Sequence, residues 1–403
     1  MVYNSSMKLI ERKGYLEKLI HTMHTPDIKV ITGIRRSGKS KLLESFMEYV
    51  KSHVGNVNVI HINFNLMQYD SLRNAASLNE YAEGNFVAGA ENFLLIDEVQ
   101  MCDGFERAVN SLHASERFHI YITGSNAFLL SSDLATLFTG RTFEIKVFPF
   151  SFCEYLEYYG ENDIQAAFDD YAKYGGMAGS YLYQAESEKY GYISDVFRTL
   201  VVRDIQQKYK IRNMGLLNRL TDFLLDNISL EVSTHSIANT LTSSKENTNN
   251  KTISAYLRYL CSSFAFYKVR RYDIRGKKYL SSQDKYYLAD HSFKYAILGT
   301  RNLDYGHVYE NIVAIELLRR GYELYAGVLY NKEIDFVAIR QSEKIYIQVS
   351  DDISAKKTFE REIAPLLSIR DAYPKMIIAR TRHEEYSVKG VKVMDMAAWL
   401  SEA

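Results

Sequence analysis

The chain has 403 residues, and at about 150 residues per domain this length predicts between two and four domains. Its 49 Lys and Arg balance its 49 Asp and Glu, which argues against a histone-like polycation and a protein with an acidic tail, although a neutral total can contain a local basic patch. A hydrophobic fraction of 47% and a charged fraction of 24% are ordinary for a folded soluble protein, so a disordered or fibrous chain is excluded too.

The amino-terminal sequence MVYNSSMKLIERKGYLEKLI has no apolar block that ends at a small-residue cleavage site, which argues against a secretory signal. No apolar run along the chain approaches the ~18 residues needed to span a bilayer. The three cysteines, Cys102, Cys153 and Cys261, are widely separated, as is typical of reduced thiols in a cytosol. We therefore expect a cytoplasmic protein that contacts no membrane.

A phosphate-binding loop follows the first predicted strand, residues 28–34. The octapeptide GIRRSGKS, Gly33–Ser40, matches G-x-x-x-x-G-K-S/T without a gap and opens a predicted helix. Its two glycines let the backbone turn so that N–H groups point at phosphate oxygens. In such a loop the lysine reaches the β- and γ-phosphates, and the serine hydroxyl reaches Mg²⁺. We predict that ATP is bound by Gly33, Ile34, Arg35, Arg36, Ser37, Gly38, Lys39, Ser40 and Leu42.

Two acidic residues end another predicted strand, residues 93–97. Asp97 and Glu98 would lie at the carboxyl edge of a parallel sheet, where ligands of open α/β sheets bind. We predict that Asp97 holds Mg²⁺ through water and that Glu98 deprotonates the attacking water, while Ser40 binds the metal and Lys39 stabilises the phosphates. An acidic pair after a strand is more often a solvated strand end, but the preceding phosphate loop favours the catalytic interpretation.

The predicted strand at 118–124 ends in a polar cluster, in which Ser125 and Asn126 are candidates to contact the γ-phosphate or its water. Simple turn chemistry explains the same residues equally well. Arg141 follows shortly after. It is a candidate arginine finger that stabilises charge in the transition state, or else a member of a surface ion pair.

These motifs resemble those of a known family. GIRRSGKS, FLLIDEVQ, YITGSNAFLL and FTGRTFEIKVFPFSFCEYLE closely resemble archaeal-type ATPases of the AAA+ superfamily, whose bacterial relatives carry a C-terminal domain of unknown function. The resemblance covers nearly the whole chain. It implies ATP and Mg²⁺ as ligands, Walker A roles for Lys39 and Ser40, Walker B roles for Asp97 and Glu98, and a sensor role for Ser125–Asn126. It does not supply a cellular task.

The middle of the chain predicts a helix-turn-helix, with helices at 234–241 and 248–264, and then a two-stranded ribbon. The second helix has four positions expected to face the core and four expected to face solvent, respectively Ile253, Tyr256, Leu257 and Leu260, and Asn250, Lys251, Ser254 and Arg258. The ribbon, from Phe264 to Tyr287, turns near Asp273–Gly276 and carries a net charge of +5. This pattern predicts a winged helix that binds DNA. A solvated wing or a protein-docking module is the alternative.

The last predicted unit resembles the restriction-endonuclease-like nuclease fold. After a helix that carries Glu310, its strands are predicted at 323–330, 332–339 and 344–349. Asp335 on the second strand matches the fold's second acid, but the E-x-K motif on the third reads Gln348-Val-Ser350. A nuclease needs carboxylates to hold Mg²⁺ and a lysine to orient the nucleophile. We therefore expect a degenerate unit that binds or dimerises and does not cut DNA.

The sequence as a whole predicts an α/β fold class with four parts. These are a P-loop NTPase core with a parallel sheet, a helical lid, a winged helix-turn-helix and a restriction-endonuclease-like α/β domain, at residues 1–155, 156–213, 214–297 and 298–403. We expect an ATP-hydrolysing switch in which nucleotide binding between core and lid changes how the later parts meet DNA. One alternative is a signalling ATPase that binds a protein partner or a second copy of itself. Another is an ATP-regulated nuclease whose lysine is Lys356 or Lys357.

Overall fold

The computed structural model describes most of the chain, namely residues 10–124, 138, 140–243, 248–276, 278–300 and 305–402. The chain divides into two compact units, Met1–Val147 and Phe148–Ala403. The first predicted boundary, at residue 155, lies a little beyond the observed one, and the other two predicted boundaries fall inside the second unit. Within the described ranges, no helix has both the length and the apolar character that crossing a bilayer demands.

A parallel sheet forms the centre of the first unit. Among the described residues it has five strands in the spatial order β2-β3-β4-β1-β5. Their bounds are Ile28–Thr32 (β1), Val57–Asn63 (β2), Glu91–Asp97 (β3), His119–Thr123 (β4) and Thr142–Lys146 (β5). Strands β1, β3 and β4 confirm the three strands predicted in this part of the chain, because strands covered on both faces need continuous apolar sequence. No such run marks β5, in which only Ile145 is fully buried.

Helices cover this sheet, and they are Lys13–His21 (α1), Lys39–His53 (α2), Ala75–Gly84 (α3) and Phe105–Ala114 (α4). Leu112 of α4 packs in one apolar cluster with Leu94 and Ile122 of the sheet. In a second cluster, the ring of Phe46 on α2 contacts the rings of Phe93 and Tyr121. Because β4 lies between β1 and β3, the segments that follow these three strands meet at one edge of the sheet.

The second unit begins with helices. They and the later helices of the unit are Phe152–Tyr159 (α5), Ile164–Tyr174 (α6), Glu186–Arg198 (α7), Gln206–Tyr209 (α8), Met214–Asp226 (α9), Thr234–Ser243 (α10), Asn250–Ser262 (α11), Ser292–Leu298 (α12), Tyr305–Arg319 (α13), Lys356–Leu367 (α14) and Met396–Ser401 (α15). A π-helical segment, Thr199–Ile205, joins α7 to α8. Helix α6, which belongs to the predicted lid, packs against α15, and its Asp169 pairs with Arg380 at 2.8 Å. The predicted lid thus shares contacts with the end of the chain.

The described part of the second unit contains a mixed sheet of eight strands in the order β12-β13-β11-β10-β9-β8-β6-β7. The bounds are Phe266–Asp273 (β6), Lys278–Leu288 (β7), Glu323–Leu329 (β8), Lys332–Arg340 (β9), Glu343–Ser350 (β10), Lys375–Ala379 (β11), Tyr386–Val388 (β12) and Val391–Asp395 (β13). Strands β6 and β7 form the predicted antiparallel ribbon. Strand β6 also pairs in parallel with β8, so the ribbon belongs to the same sheet as the later strands β8 to β13.

Helices α10 and α11 form the predicted pair before the ribbon. In α11 the four positions predicted to face the core are buried and the four predicted to face solvent are exposed. Asn249 caps α11, since its side-chain oxygen accepts a hydrogen bond from the N–H of Thr252 at 2.9 Å. A short antiparallel bridge between Val232 and Asp284 attaches the segment before α10 to the ribbon.

Candidate nucleotide-binding site

The loop Gly33–Ser40 connects β1 to α2, and its two glycines adopt conformations that other residues rarely take. Gly33 has a φ of +139°, and a Cβ at this position would lie 2.1 Å from the carbonyl oxygen of Val147. Gly38 has a φ of +95° and immediately precedes α2. Backbone geometry at both ends of the loop therefore requires glycine, which explains the spacing of the motif.

Lys39 lies inside the curve of this loop. It is only 5% exposed, and its Nζ donates hydrogen bonds to the carbonyl oxygens of Gly33 and Ile34, each at 3.0 Å. Lys39 is also the first residue of α2, a helix of 15 residues. The amino end of a helix attracts anions, so the ammonium and the helix end together favour binding of a phosphate group.

Asp97 connects the loop to the neighbouring strands. It ends β3, is 1% exposed, and its carboxylate accepts hydrogen bonds from the hydroxyls of Thr123 and Ser40. Burial raises the pKa of Asp97, while these two hydrogen bonds and the charge of Lys39 act in the opposite direction. The Ser40 hydroxyl and the Asp97 carboxylate are thus adjacent oxygen donors, the kind of ligand that Mg²⁺ prefers.

Glu98 follows Asp97 in a left-handed backbone conformation, with a φ of +56°. Its N–H donates to Oγ1 of Thr123 at 3.1 Å, and Nε2 of Gln100 donates a hydrogen bond to its carboxylate. A left-handed conformation at a residue other than glycine is strained, and such residues concentrate at functional sites. Glu98 is partly exposed, so its carboxylate is both oriented by Gln100 and open to water.

Sequence reasoning misses two residues of this site. Thr123 ends β4 and contacts both acidic residues; its place at a strand end beside the polar residues 125–126 is the only signal for it. Arg12 is 5% exposed, and its guanidinium donates to the carbonyl oxygen of Ser37 at 2.7 Å while lying 4.6 Å from the ring centre of Tyr15. No local pattern marks Arg12, because it is 25 residues away from the loop residue that it contacts.

The other predicted loop residues lie at different depths. Ile34 and Leu42 are 1% and 2% exposed, and Leu42 packs into the apolar cluster beneath α2. Arg35 is half-buried, and Arg36 is exposed with a φ of +62°. Ser125 and Asn126 lie outside the described residues, so their sensor role stays a prediction.

Arg141 lies at the opposite edge of the sheet from the loop. Its carbonyl oxygen accepts a hydrogen bond from the N–H of Ile28 at 2.9 Å, which places it beside the first residue of β1, and its side chain is exposed. The phosphate loop begins at Gly33, directly after the last residue of β1 and five residues after Ile28. The structure therefore does not bring Arg141 together with the loop of its own chain.

A second cluster of charged side chains surrounds Glu310 of α13, in the second unit. Oε1 of Glu310 accepts hydrogen bonds from Nζ of Lys285 at 2.8 Å and from the hydroxyl of Tyr287 at 2.6 Å. Nζ of Lys285 also lies 2.5 Å from Oε1 of Glu333. Although burial acts to lower it, the charges of Glu310, Asp335 and Glu333 raise the pKa of Lys285 above its ordinary value. This ammonium is therefore an internal cation surrounded by carboxyl groups.

Asp335 completes the cluster from β9. Its Oδ2 accepts a hydrogen bond from the N–H of Val349 at 2.7 Å. Burial, and next the charge of Glu310, raise the pKa of Asp335 well above its ordinary value. Gln348 is 9% exposed, and its Oε1 has no hydrogen-bond partner among the described residues.

The lysine in this cluster is not one that the sequence suggested. Lys356 and Lys357 are both exposed at the start of α14, and Lys356 lies 3.9 Å from Glu360. The ammonium beside Glu310 comes instead from Lys285 on the ribbon. A pairing between distant strands brings Lys285 there, which explains why the motif spacing gave no indication of it.

Comparisons with known proteins match two stretches of the chain. Residues 25–156 match the family model of an AAA domain, and residues 165–304 match a domain of unknown function, DUF8612. An uncharacterized protein of Haemophilus influenzae is 38% identical over 401 residues, covering 98% of this chain and 99% of that protein. An uncharacterized protein of Methanocaldococcus jannaschii is 28% identical over 353 residues, covering 83% and 77%.

Two solved structures of DnaA are similar to this chain at low identity. The replication initiator DnaA bound to AMPPCP and single-stranded DNA is 15% identical, with a TM-score of 0.32, over 61% of this chain and 86% of that one. DnaA from Aquifex aeolicus bound to AMPPCP is 14% identical, also with a TM-score of 0.32, over 62% and 89%. At this level of likeness, the ligands of those proteins do not carry over to this chain.

Proposed function

The chain belongs to one family with its Haemophilus influenzae relative and carries an AAA domain at residues 25–156. From that premise we propose that it is a Mg²⁺-dependent ATPase that acts as a switch. The observation that best supports this function is the meeting of two motifs at one carboxylate. Ser40 of the loop and Thr123 of β4 both hydrogen-bond to Asp97 of β3. Such a convergence of a phosphate loop with a metal-binding acid is what a nucleoside triphosphate and its metal need.

In the proposed reaction, water attacks the γ-phosphorus of ATP, the bond to the bridging oxygen breaks, and ADP and phosphate leave. The loop N–H groups and Lys39 bind the β- and γ-phosphates. Ser40 and Asp97 are the residues that hold Mg²⁺, which supplies positive charge to the phosphate oxygens when it is bound. Glu98 takes the proton from the attacking water, and Gln100 orients its carboxylate.

Substitution of Glu98 by Gln tests this assignment, since the amide keeps the shape and loses the base. We expect Glu98→Gln to bind ATP within a few-fold of the wild type and to release phosphate at least about 100-fold more slowly. Phosphate release should also stop when EDTA removes Mg²⁺. Titration calorimetry and a phosphate-release assay measure the two steps separately.

A matched control is Glu116→Gln, which makes the same chemical change at an exposed residue before β4, at the other end of the strands. It should leave both binding and turnover unchanged. Turnover of Glu98→Gln within a few-fold of the wild type would show that Glu98 is not the base. A wild type that binds ATP and never hydrolyses it would reduce the proposal to nucleotide binding alone.

We further propose that α10, α11 and the ribbon act as a winged-helix module that binds DNA under the control of the nucleotide. The exposed face of α11, formed by Asn250, Lys251, Ser254 and Arg258, is polar and carries two positive charges. On the ribbon, Arg270 and Arg275 are exposed. Phosphate contacts made by such side chains give most of the affinity for DNA of any sequence.

Ion pairs within the module reduce its free positive charge. Lys268 lies 2.6 Å from Asp284, and Arg271 lies 2.9 Å from Glu231. A gel shift with a duplex and a single strand, with and without ATP and over a range of salt concentrations, tests the proposal. We expect a shift that weakens with salt and differs between the two nucleotide states. Without any shift, a protein partner or a second copy of the chain would become the better candidate.

A further inference from the structure

Two histidines and a glutamate meet at the edge of the first unit that lies opposite the phosphate loop. His24 lies in the turn before β1, Glu91 begins β3, and His119 begins β4. One ligand atom from each side chain lies within 4.8 Å of the others. The pairing of His119 with Phe93 fixes the two strands against each other, so the backbone holds two of the three residues together.

The spacing of these atoms suits a bridging ion better than direct hydrogen bonds. Oε2 of Glu91 lies 3.8 Å from Nδ1 of His24 and 3.8 Å from Nε2 of His119, beyond hydrogen-bond length in both cases. A tetrahedral zinc ion binds imidazole nitrogen at about 2.0–2.1 Å and carboxylate oxygen at about 2.0–2.2 Å, which separates its ligand atoms by roughly 3.4 Å. The three side chains need to approach by only about 1 Å to reach this spacing.

The side chains have the freedom of movement that metal binding needs. Their exposed fractions are 62% for His24, 45% for Glu91 and 28% for His119, so rotation about side-chain bonds meets little resistance. The ring of Phe93, 4.8 Å from that of His119, limits the imidazole's orientation.

We propose that His24, Glu91 and His119 bind one transition-metal dication of the zinc class, with water in the fourth position. Two imidazoles and one carboxylate favour such an ion over Mg²⁺, which prefers oxygen ligands throughout. The ion would connect the turn before β1 to the starts of β3 and β4. This site is independent of the proposed ATPase, because it shares no residue with the phosphate loop or with Asp97 and Glu98.

Cobalt(II) is a suitable probe, because a tetrahedral site with nitrogen ligands gives strong visible absorption. The full-length chain, without an affinity tag and without nucleotide, should bind one equivalent of Co²⁺ with such a spectrum, and one equivalent of Zn²⁺ should displace it. His24→Ala and His119→Gln should each weaken Zn²⁺ binding by at least about 100-fold. Loss of a residue that only hydrogen-bonds to a metal ligand already weakens binding by up to about 100-fold, and loss of a ligand should cost at least as much.

The matched control is His53→Gln, at an exposed histidine of α2 whose ring stacks on Tyr49. It should bind Co²⁺ and Zn²⁺ as the wild type does. Circular dichroism of each variant checks that loss of metal binding is not loss of folding. The proposal is overturned if the wild type gives no tetrahedral Co²⁺ spectrum, or if folded His24→Ala and His119→Gln retain wild-type affinity for Zn²⁺.

Discussion

Lys39 is the residue whose removal tests the phosphate loop most directly. Lys39→Ala removes the ammonium that lies against the carbonyl oxygens of Gly33 and Ile34. We expect ATP affinity to fall by at least about 100-fold, because the substitution removes two charge-assisted hydrogen bonds to phosphate of ~1.5–3 kcal/mol each. Titration calorimetry with Mg²⁺-ATP measures this. Lys41→Ala is the control, since Lys41 is exposed and pairs with Glu44 at 2.5 Å; unchanged affinity in Lys39→Ala would remove the phosphate-loop assignment.

Arg12 offers a second test, on a residue that lies outside every motif. Its substitution by Ala leaves the buried carbonyl oxygen of Ser37 without the donor that it has in the native chain. An unsatisfied buried acceptor costs about 1–3 kcal/mol, so the loop should become less ordered and ATP affinity should fall. Arg12→Lys should retain part of the effect, as a donor without the guanidinium geometry. Calorimetry together with the thermal midpoint of unfolding checks both; full ATP affinity in Arg12→Ala would show that this hydrogen bond does not shape the loop.

The sequence predicts a site residue when neighbouring residues along the chain determine its role. Gly33 and Gly38 are required by the turn of the loop itself, and Asp97 by its place at the end of a buried strand. Thr123 and Arg12 instead reach the site through the order of strands and the packing of a distant segment. Spacing along the chain does not contain that information, so only the folded structure identifies these two.

The same distinction applies to whole elements. Strands β1, β3 and β4 follow from their continuous apolar runs, since each is covered by helices and is buried on both faces. The ribbon follows from its local hairpin pattern, but its parallel pairing with β8 does not, because that pairing joins segments about fifty residues apart. For this reason, the boundary predicted between residues 297 and 298 falls between β7 and β8, two strands of one sheet.

Two exposed arginines of the ribbon, Arg270 and Arg275, test whether the ribbon binds DNA. If it lies on DNA, the double variant Arg270→Ala with Arg275→Ala should weaken binding to unrelated sequences alike and reduce the salt slope by about 2, since each phosphate that is no longer neutralised changes the slope by roughly 0.9. Gel shifts at several salt concentrations measure the slope. Lys356→Ala with Lys357→Ala removes the same charge from exposed positions on α14 and should change little. Equal effects of the two double variants would mean that the ribbon has no special part in binding.

At the scale of the whole molecule, the second unit combines the helices α10 and α11 with a mixed sheet to which the ribbon belongs. The ribbon supplies Lys285 and Tyr287, and both donate hydrogen bonds to the same oxygen of Glu310. A cation from the protein thus lies against the carboxylate that the sequence resemblance to nucleases assigns to Mg²⁺. A second positive charge at that position would be repelled by the ammonium of Lys285, and two of the lone-pair directions of the oxygen are already used.

We therefore predict that the full-length protein does not cut DNA, with Mg²⁺ or Mn²⁺ and with or without ATP. Two carboxyl groups remain, at Glu310 and Asp335. The third acid of the nuclease motif is replaced by Gln348, a neutral and weak ligand for Mg²⁺. The lysine of the motif is replaced by Ser350, which has no positive charge to orient a nucleophile. Plasmid and single-strand cleavage assays measure the activity, and we expect no product above the background of the preparation.

Variants separate this expectation from the activity of a contaminating nuclease. Glu310→Ala and Asp335→Ala remove the two carboxyl groups, so any cleavage that survives both substitutions comes from another protein. Cleavage that both abolish would contradict the prediction. In that case Lys285→Ala would decide the role of the internal lysine, because Lys285 contacts Glu310 whereas Lys356 and Lys357 are exposed on α14. If Lys285→Ala also abolished cleavage, Lys285 would be the lysine that orients the nucleophile, supplied by the ribbon instead of the E-x-K strand.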